Sequence, residues 1–95
     1  MTPEAKVKRK IREVLEEHGA YYAMPVTGGY GISGVPDFLI CHHGRFIGIE
    51  AKAGKGKPTT LQLNAMKKIE LAGGRVLVVN EDNIGELKHL LEKIL

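Results

Sequence analysis

Val7, Ile11, Val14 and Leu15 recur at helical spacing behind Thr2-Pro3-Glu4. Thr2 is suited to cap such a helix, Pro3 to its first position, and Glu4 to the positive end of its dipole; Gly19 stops it. Tyr21 to Val26 reads as a first strand. Phe38 to Cys41 and Arg45 to Ala51 are apolar, partly β-branched runs separated by His42-His43-Gly44, the pattern of a β-hairpin with Gly44 free to take a positive φ. Thr59 or Thr60 caps a second helix running to about Ala72, with Gln62, Ala65, Met66, Ile69 and Ala72 on one face. Gly73-Gly74 ends it, and Arg75 to Val79 reads as a buried strand. After a turn over Asn80 to Asn83, Ile84, Leu87, Leu90, Leu91 and Ile94 mark a final helix. The predicted order is αβββαβα, an α/β chain in which helices bury their stripes on a short mixed β-sheet.

The hairpin concentrates the chemistry. With His43-Gly44 as a two-residue loop, His42 faces Arg45, and stepping away from the turn brings Asp37 opposite Glu50. Directly opposed residues have Cβ atoms about 5 Å apart. Alternation places Glu50 and Lys52 on one face, Ile49 and Ala51 on the other. Opposed like charges destabilise a sheet. A divalent cation removes the conflict: Mg²⁺ takes hard oxygen ligands, often one or two carboxylates, and keeps several waters. Lys52 adds a positive charge beside it, where a phosphate would sit. Such a trio on a strand pair is more often a solvated face with a salt bridge. Here apolar runs on both sides make the hairpin central, and charges near the buried zone of a central strand are costly unless paired or ligated. That favours a metal site.

Ninety-five residues predict one domain, residues 1–95. A net charge of +3 and a sequence pI near 9.1 fit nucleic acid without demanding it. The single cysteine, Cys41, reads as a small buried hydrophobe and cannot form a disulfide within the chain, in keeping with a cytosolic setting. No apolar stretch approaches a membrane span, and no signal-peptide core follows the charged N-terminus, so no membrane partner is expected. There is no internal repeat, P-loop, zinc signature or helix-turn-helix.

Other residues leave two readings open. Thr27 to Gly34 is rich in glycine; it is either a mobile loop without chemistry or one whose Thr27, Tyr30 and Ser33 hydroxyls meet phosphate oxygens. Lys55 and Lys57, in the flexible loop Ala53 to Pro58, meet phosphates or simply keep a connection soluble. Lys6, Lys8, Arg9, Lys10 and Arg12 make the first helix basic, either as a solvated face paired with Glu13, Glu16 and Glu17 or as a contact to a phosphate backbone. Glu4, on the inward stripe, is a plain first-turn carboxylate or a third acid reaching toward the hairpin. Gln62 leads an otherwise apolar stripe, and a buried amide needs a partner: backbone, site or substrate. His18, His42, His43 and His89 show no ligand spacing and read as surface residues.

Together, Gly34-Val35-Pro36-Asp37, Glu50-Ala51-Lys52, Gln62 and Gly73-Gly74-Arg75 resemble the VRR-NUC domain, a branch of the PD-(D/E)xK nuclease superfamily, over essentially the whole chain. The small size is similar to free-standing phage or bacterial members. The layout is also similar to archaeal Holliday-junction resolvases, with their early glutamate, basic helix and glycine-rich loop. The resemblance implies a restriction-endonuclease-like fold and a Mg²⁺- or Mn²⁺-dependent endodeoxyribonuclease, a hydrolase, in the cytoplasm of a bacterial host cell or encoded by a phage. Asp37 and Glu50 would ligate the metal, with the Ala51 carbonyl as a further ligand and Glu4 binding through water. Lys52 would orient the attacking water or stabilise the phosphorane charge, and Gln62 would support the site or position that water. The resemblance also implies a homodimer with two sites facing branched DNA, for which Leu61 and Leu63 are candidate contacts unless they pack within the monomer. A nicking or restriction-like duplex endonuclease is the enzymatic alternative, and a non-catalytic DNA-binding module is the other.

Overall fold

In the computed structural model, which describes residues 1–26 and 33–94, the elements run α1 (Pro3–Glu17), β1 (Tyr21–Ala23), β2 (Phe38–His42), β3 (Arg45–Ala51), α2 (Thr60–Leu71), β4 (Arg75–Val79) and α3 (Ile84–Lys93). This is the predicted order. The four strands form one sheet in the order β1-β2-β3-β4. The first three are antiparallel, and β4 returns parallel to β3 after the α2 crossover, so the sheet is mixed.

The hairpin at its centre has the predicted register. His43 and Gly44 take φ of 50° and 77°, as a two-residue turn that follows the strand twist requires. The ladder then runs from His42 opposite Arg45 to Phe38 opposite Ile49. One face of the sheet holds the core: Phe38 and Ile40 from β2, Ile47, Ile49 and Ala51 from β3, and Val79 from β4 pack with Val7, Ile11 and Leu15 of α1 and with Leu87 and Leu91 of α3. Glycine at 34 serves a different purpose. Its φ is 79°, and a side chain there would run into the Leu61 carbonyl of α2. The chain leading into Asp37 therefore lies directly on the first turn of that helix.

Local chemistry sets the helix starts. Thr2 Oγ1 accepts from Ala5 N at 3.1 Å, with Pro3 at the first position. Thr59, rather than Thr60, caps α2: its Oγ1 accepts from Gln62 N at 3.2 Å while Gln62 Oε1 accepts from Thr59 N at 2.8 Å, a reciprocal capping box.

Five readings are corrected. The first strand stops at Ala23, because Pro25 has no N–H to give a ladder. Strand β4 lies at the sheet's edge and is only half-buried. Cys41 is exposed and His42 is buried, the reverse of the expectation. Both follow from alternation: Phe38, Ile40 and His42 take the core face, which leaves Cys41 on the other face beyond the reach of α2. The His42 ring keeps its polarity by donating from Nε2 to the Leu91 carbonyl at 3.1 Å. His18 is half-buried as well, bonded to the Val14 carbonyl and Glu92 at the junction of α1 and α3, whereas His43 and His89 are exposed.

The two glycines give a graded test. Gly44 has a positive φ and open space around it, so Gly44→Ala should cost only the backbone strain, about 1–2 kcal/mol. Gly34→Ala adds a clash with α2 backbone and should cost about 3 kcal/mol or more. Urea unfolding of the two variants measures the difference; equal losses would mean that the approach of Gly34 to α2 is not as described.

Candidate active site

Glu50 sits on the penultimate rung of β3, on the face of the sheet that α2 covers, and is 1% exposed. Three contacts fix its surroundings. Gln62 Nε2 donates to Glu50 Oε1 at 3.1 Å. Asp37, just before β2, accepts the Ala51 N–H at Oδ2 over 2.8 Å, which holds its carboxyl at the end of the ladder beside Glu50. Lys8 of α1 approaches Asp37 Oδ1 at 3.6 Å. Glu50 Oε2 is buried and has no hydrogen-bond partner among the described residues.

Backbone alternation completes the arrangement. Lys52 N–H donates to the Val79 carbonyl on β4 at 3.0 Å. The peptide groups of Ala51 therefore turn the other way, toward Asp37, and the Ala51 carbonyl lies on the same side as the two carboxylates. Lys52 is half-buried at the end of the strand.

The electrostatics show the conflict built into this corner. The Glu50 carboxyl is pushed up to about 8. Burial is the largest cause; the Asp37 carboxyl set against it comes next, and Glu4 adds to them, while Lys52 pulls the other way. The donor set is a buried carboxylate oxygen with no donor, a facing carboxylate and a backbone carbonyl. These are hard oxygens, and they fit Mg²⁺ or Mn²⁺. Glu4 does not join them: among the described residues no three His, Cys, Asp or Glu side chains gather closely enough to hold an ion. Its carboxylate acts on Glu50 from a distance.

The fold thus brings Asp37, Glu50, Ala51, Lys52 and Gln62 to one corner. Gln62 does two things, closing the α2 cap with one amide atom and holding Glu50 with the other. Ser33, Lys55 and Lys57 are exposed, and Gly56, between the two lysines, lies against the Lys52 side chain. Thr27 and Tyr30 lie outside the described residues. Leu61 and Leu63 are 57% and 52% exposed on the first turn of α2. Sequence reasoning passed over Lys8 as one charge in a basic run. Its distinguishing signal was its place one helical turn after Glu4, on the same side of α1.

No family model matches the chain, and no curated protein matches it. A solved structure described as a VRR_NUC domain superposes with a TM-score of 0.71 at 24% identity, over 98% of this chain and 94% of that one. This chain has the VRR-NUC fold. The likeness covers all seven elements, including the hairpin that carries Asp37 and Glu50.

A raised carboxyl is a stability statement. Between the unfolded value near 4.5 and the folded value of about 8, the unfolded chain ionises at position 50 while the folded chain keeps its proton. Stability contributed there is present below 4.5 and is lost as pH rises toward 8. Glu50→Gln removes the titration. In chelator, the variant should be more stable than the parent by at least about 1 kcal/mol at pH 8, with the gap closing toward pH 5. Urea unfolding at both pH values checks the slope; a gap independent of pH would contradict it.

Proposed function

We propose that the protein is a divalent-metal-dependent endodeoxyribonuclease that hydrolyses DNA phosphodiesters at the Asp37–Glu50 corner. One observation carries the reading: a fully buried Glu50 whose Oε2 has no partner among the described residues, set against a second carboxylate and beside a lysine. A phosphate-binding module gains nothing from two opposed carboxylates, which repel its ligand unless a cation lies between them. The VRR-NUC fold agrees with this chemistry.

Asp37, Glu50 and the Ala51 carbonyl would hold Mg²⁺ or Mn²⁺. When bound, the ion would supply Lewis acidity to the scissile phosphate and lower the pKa of a coordinated water. Gln62 keeps the Glu50 carboxylate in one orientation, so that Oε2 stays turned away from the amide. Lys52 places its ammonium at the phosphate, where it stabilises charge as water attacks phosphorus. Attack with departure of the 3′ oxygen leaves a 5′-phosphate and a 3′-hydroxyl. Lys8 holds Asp37 from the α1 side, and Glu4 acts through water. Ser33, Lys55, Lys57, Thr27 and Tyr30 supply the contacts to the rest of the backbone. The exposed Leu61 and Leu63 join two copies, giving paired sites suited to Holliday junctions and other branched DNA.

The test is cleavage of labelled junction, flap, nicked and linear duplex DNA in Mg²⁺, Mn²⁺ or chelator. Metal-dependent cutting is expected, falling by about 100-fold or more in Lys52→Ala. Paired cuts across a junction would support the branched substrate, and cutting of linear duplex alone would replace it with a nicking or restriction-like activity. Binding that is insensitive to chelator and to Asp37→Ala, without cleavage in either metal, would leave a DNA-binding module in place of an enzyme.

A further inference from the structure

A second feature lies at the other side of the sheet. Strand β4 is the last strand, so one of its edges has no strand partner. The Val79 carbonyl turns inward to Lys52 N–H. By alternation Arg75 and Leu77 also face β3, and Val76 and Val78 turn their peptide groups outward. The Asn83 side chain closes one end of this outer edge. Its Nδ2 donates to the Val78 carbonyl at 2.8 Å and its Oδ1 accepts from Asn80 N at 2.7 Å, much as a neighbouring strand's peptide would. The outward N–H and carbonyl of Val76 lie just beyond it. The strand has no proline and no charge after Arg75, the usual devices that protect an edge.

A groove of about 460 Å³ runs between this edge and α3, with Val76, Leu77, Gly85 and Leu90 among its walls. An adjoining cavity of about 140 Å³ is lined by Arg45, Arg75, Leu90, Lys93 and Ile94, with no carboxylate among the described residues. None of these three cations forms an ion pair among the described residues. Open backbone hydrogen-bonding groups, an apolar floor and a cationic end therefore lie side by side among the described residues.

We propose that this groove binds an extended acidic segment of a partner protein, added as an extra strand at Val76 with a carboxylate seated among Arg45, Arg75 and Lys93. Strand addition uses all three features: backbone bonds to the edge, alternate apolar side chains to the floor, and charge to the cationic end. A DNA backbone would satisfy the cations, but it leaves the Val76 peptide unused. A second copy of this chain, paired edge to edge, would bring two cation clusters together. Arg45 and Glu50 lie toward opposite ends of β3, about 17 Å apart along the strand. A bound segment therefore leaves the Asp37–Glu50 corner open, and the proposal stands apart from the nuclease reading.

The experiment is a nitrogen-15 correlation spectrum of the full chain, titrated with a synthetic octapeptide of alternating valine and glutamate. The same peptide with lysine for glutamate and a short DNA duplex are titrated in parallel. Saturable shifts at Val76, Val78, Leu90 and Lys93 from the glutamate peptide alone are expected. Val76→Pro removes the outward N–H without touching the β3 ladder, and affinity should fall about tenfold or more. The double variant Arg75→Gln/Lys93→Gln, which changes only exposed side chains, should weaken binding by a similar factor and carries the test if the proline variant does not fold. No shift from the glutamate peptide, equal shifts from the lysine peptide, the same amides responding to duplex DNA, or unchanged affinity in the double variant would each overturn the proposal.

Discussion

A carboxylate buried against another carboxylate is an unfavourable thing to build into a small sheet, and much of this fold is arranged to hold it. Glu50 is out of water on a central strand, with one oxygen on Gln62 and the other without a partner among the described residues. The two-residue turn at His43-Gly44 sets the register that carries Asp37 to the end of the same ladder. Asp37 is kept there by the Ala51 N–H and Lys8, and the approach of Gly34 to α2 fixes the chain that leads into it. The capping box of α2 determines where Gln62 stands, so the start of one helix and the orientation of Glu50 share a single side chain. Stability is given up at this corner and recovered in the core on the opposite face, as in many sites where function opposes folding.

Much of this was legible in the sequence because period-two alternation and turn geometry are strict rules. The hairpin and its register follow from the two-residue turn and the pleat. The apolar stripe of α1 needed only helical spacing, and its four residues are all buried. The same alternation, carried one residue further, would have exchanged Cys41 and His42. Residue type outweighed position there: cysteine is most often buried and histidine is not, yet at His42 the Leu91 carbonyl makes burial tolerable. That contact joins β2 to the end of α3, and no local pattern announces it.

Lys8 and the edge position of β4 were illegible for a related reason. A lysine in a run of five cations looks like its neighbours until the packing of α1 on the sheet selects one of them for Asp37. The apolar run Arg75 to Val79 looks like an interior strand, because edge and centre differ in what lies beside the strand rather than in its own residues. The dual role of Gln62 lay between these cases. The spacing from Thr59 is that of a capping box, and its place at the head of an apolar stripe implied a partner on the sheet, but the partner's identity came only with the fold.

The central claim is that Glu50 keeps its proton near neutral pH until a cation displaces it. Calorimetric titration with Mn²⁺ at pH 7, repeated in buffers of different ionisation enthalpy, counts the protons released on binding. With the carboxyl at about 8, roughly one proton should leave per ion bound, and Glu50→Gln should abolish that release. Binding without proton release, or release that survives Glu50→Gln, would contradict the account. Release that survives Glu50→Gln would place the cation elsewhere than the Asp37–Glu50 corner, and binding without release would mean that Glu50 is ionised before the cation arrives.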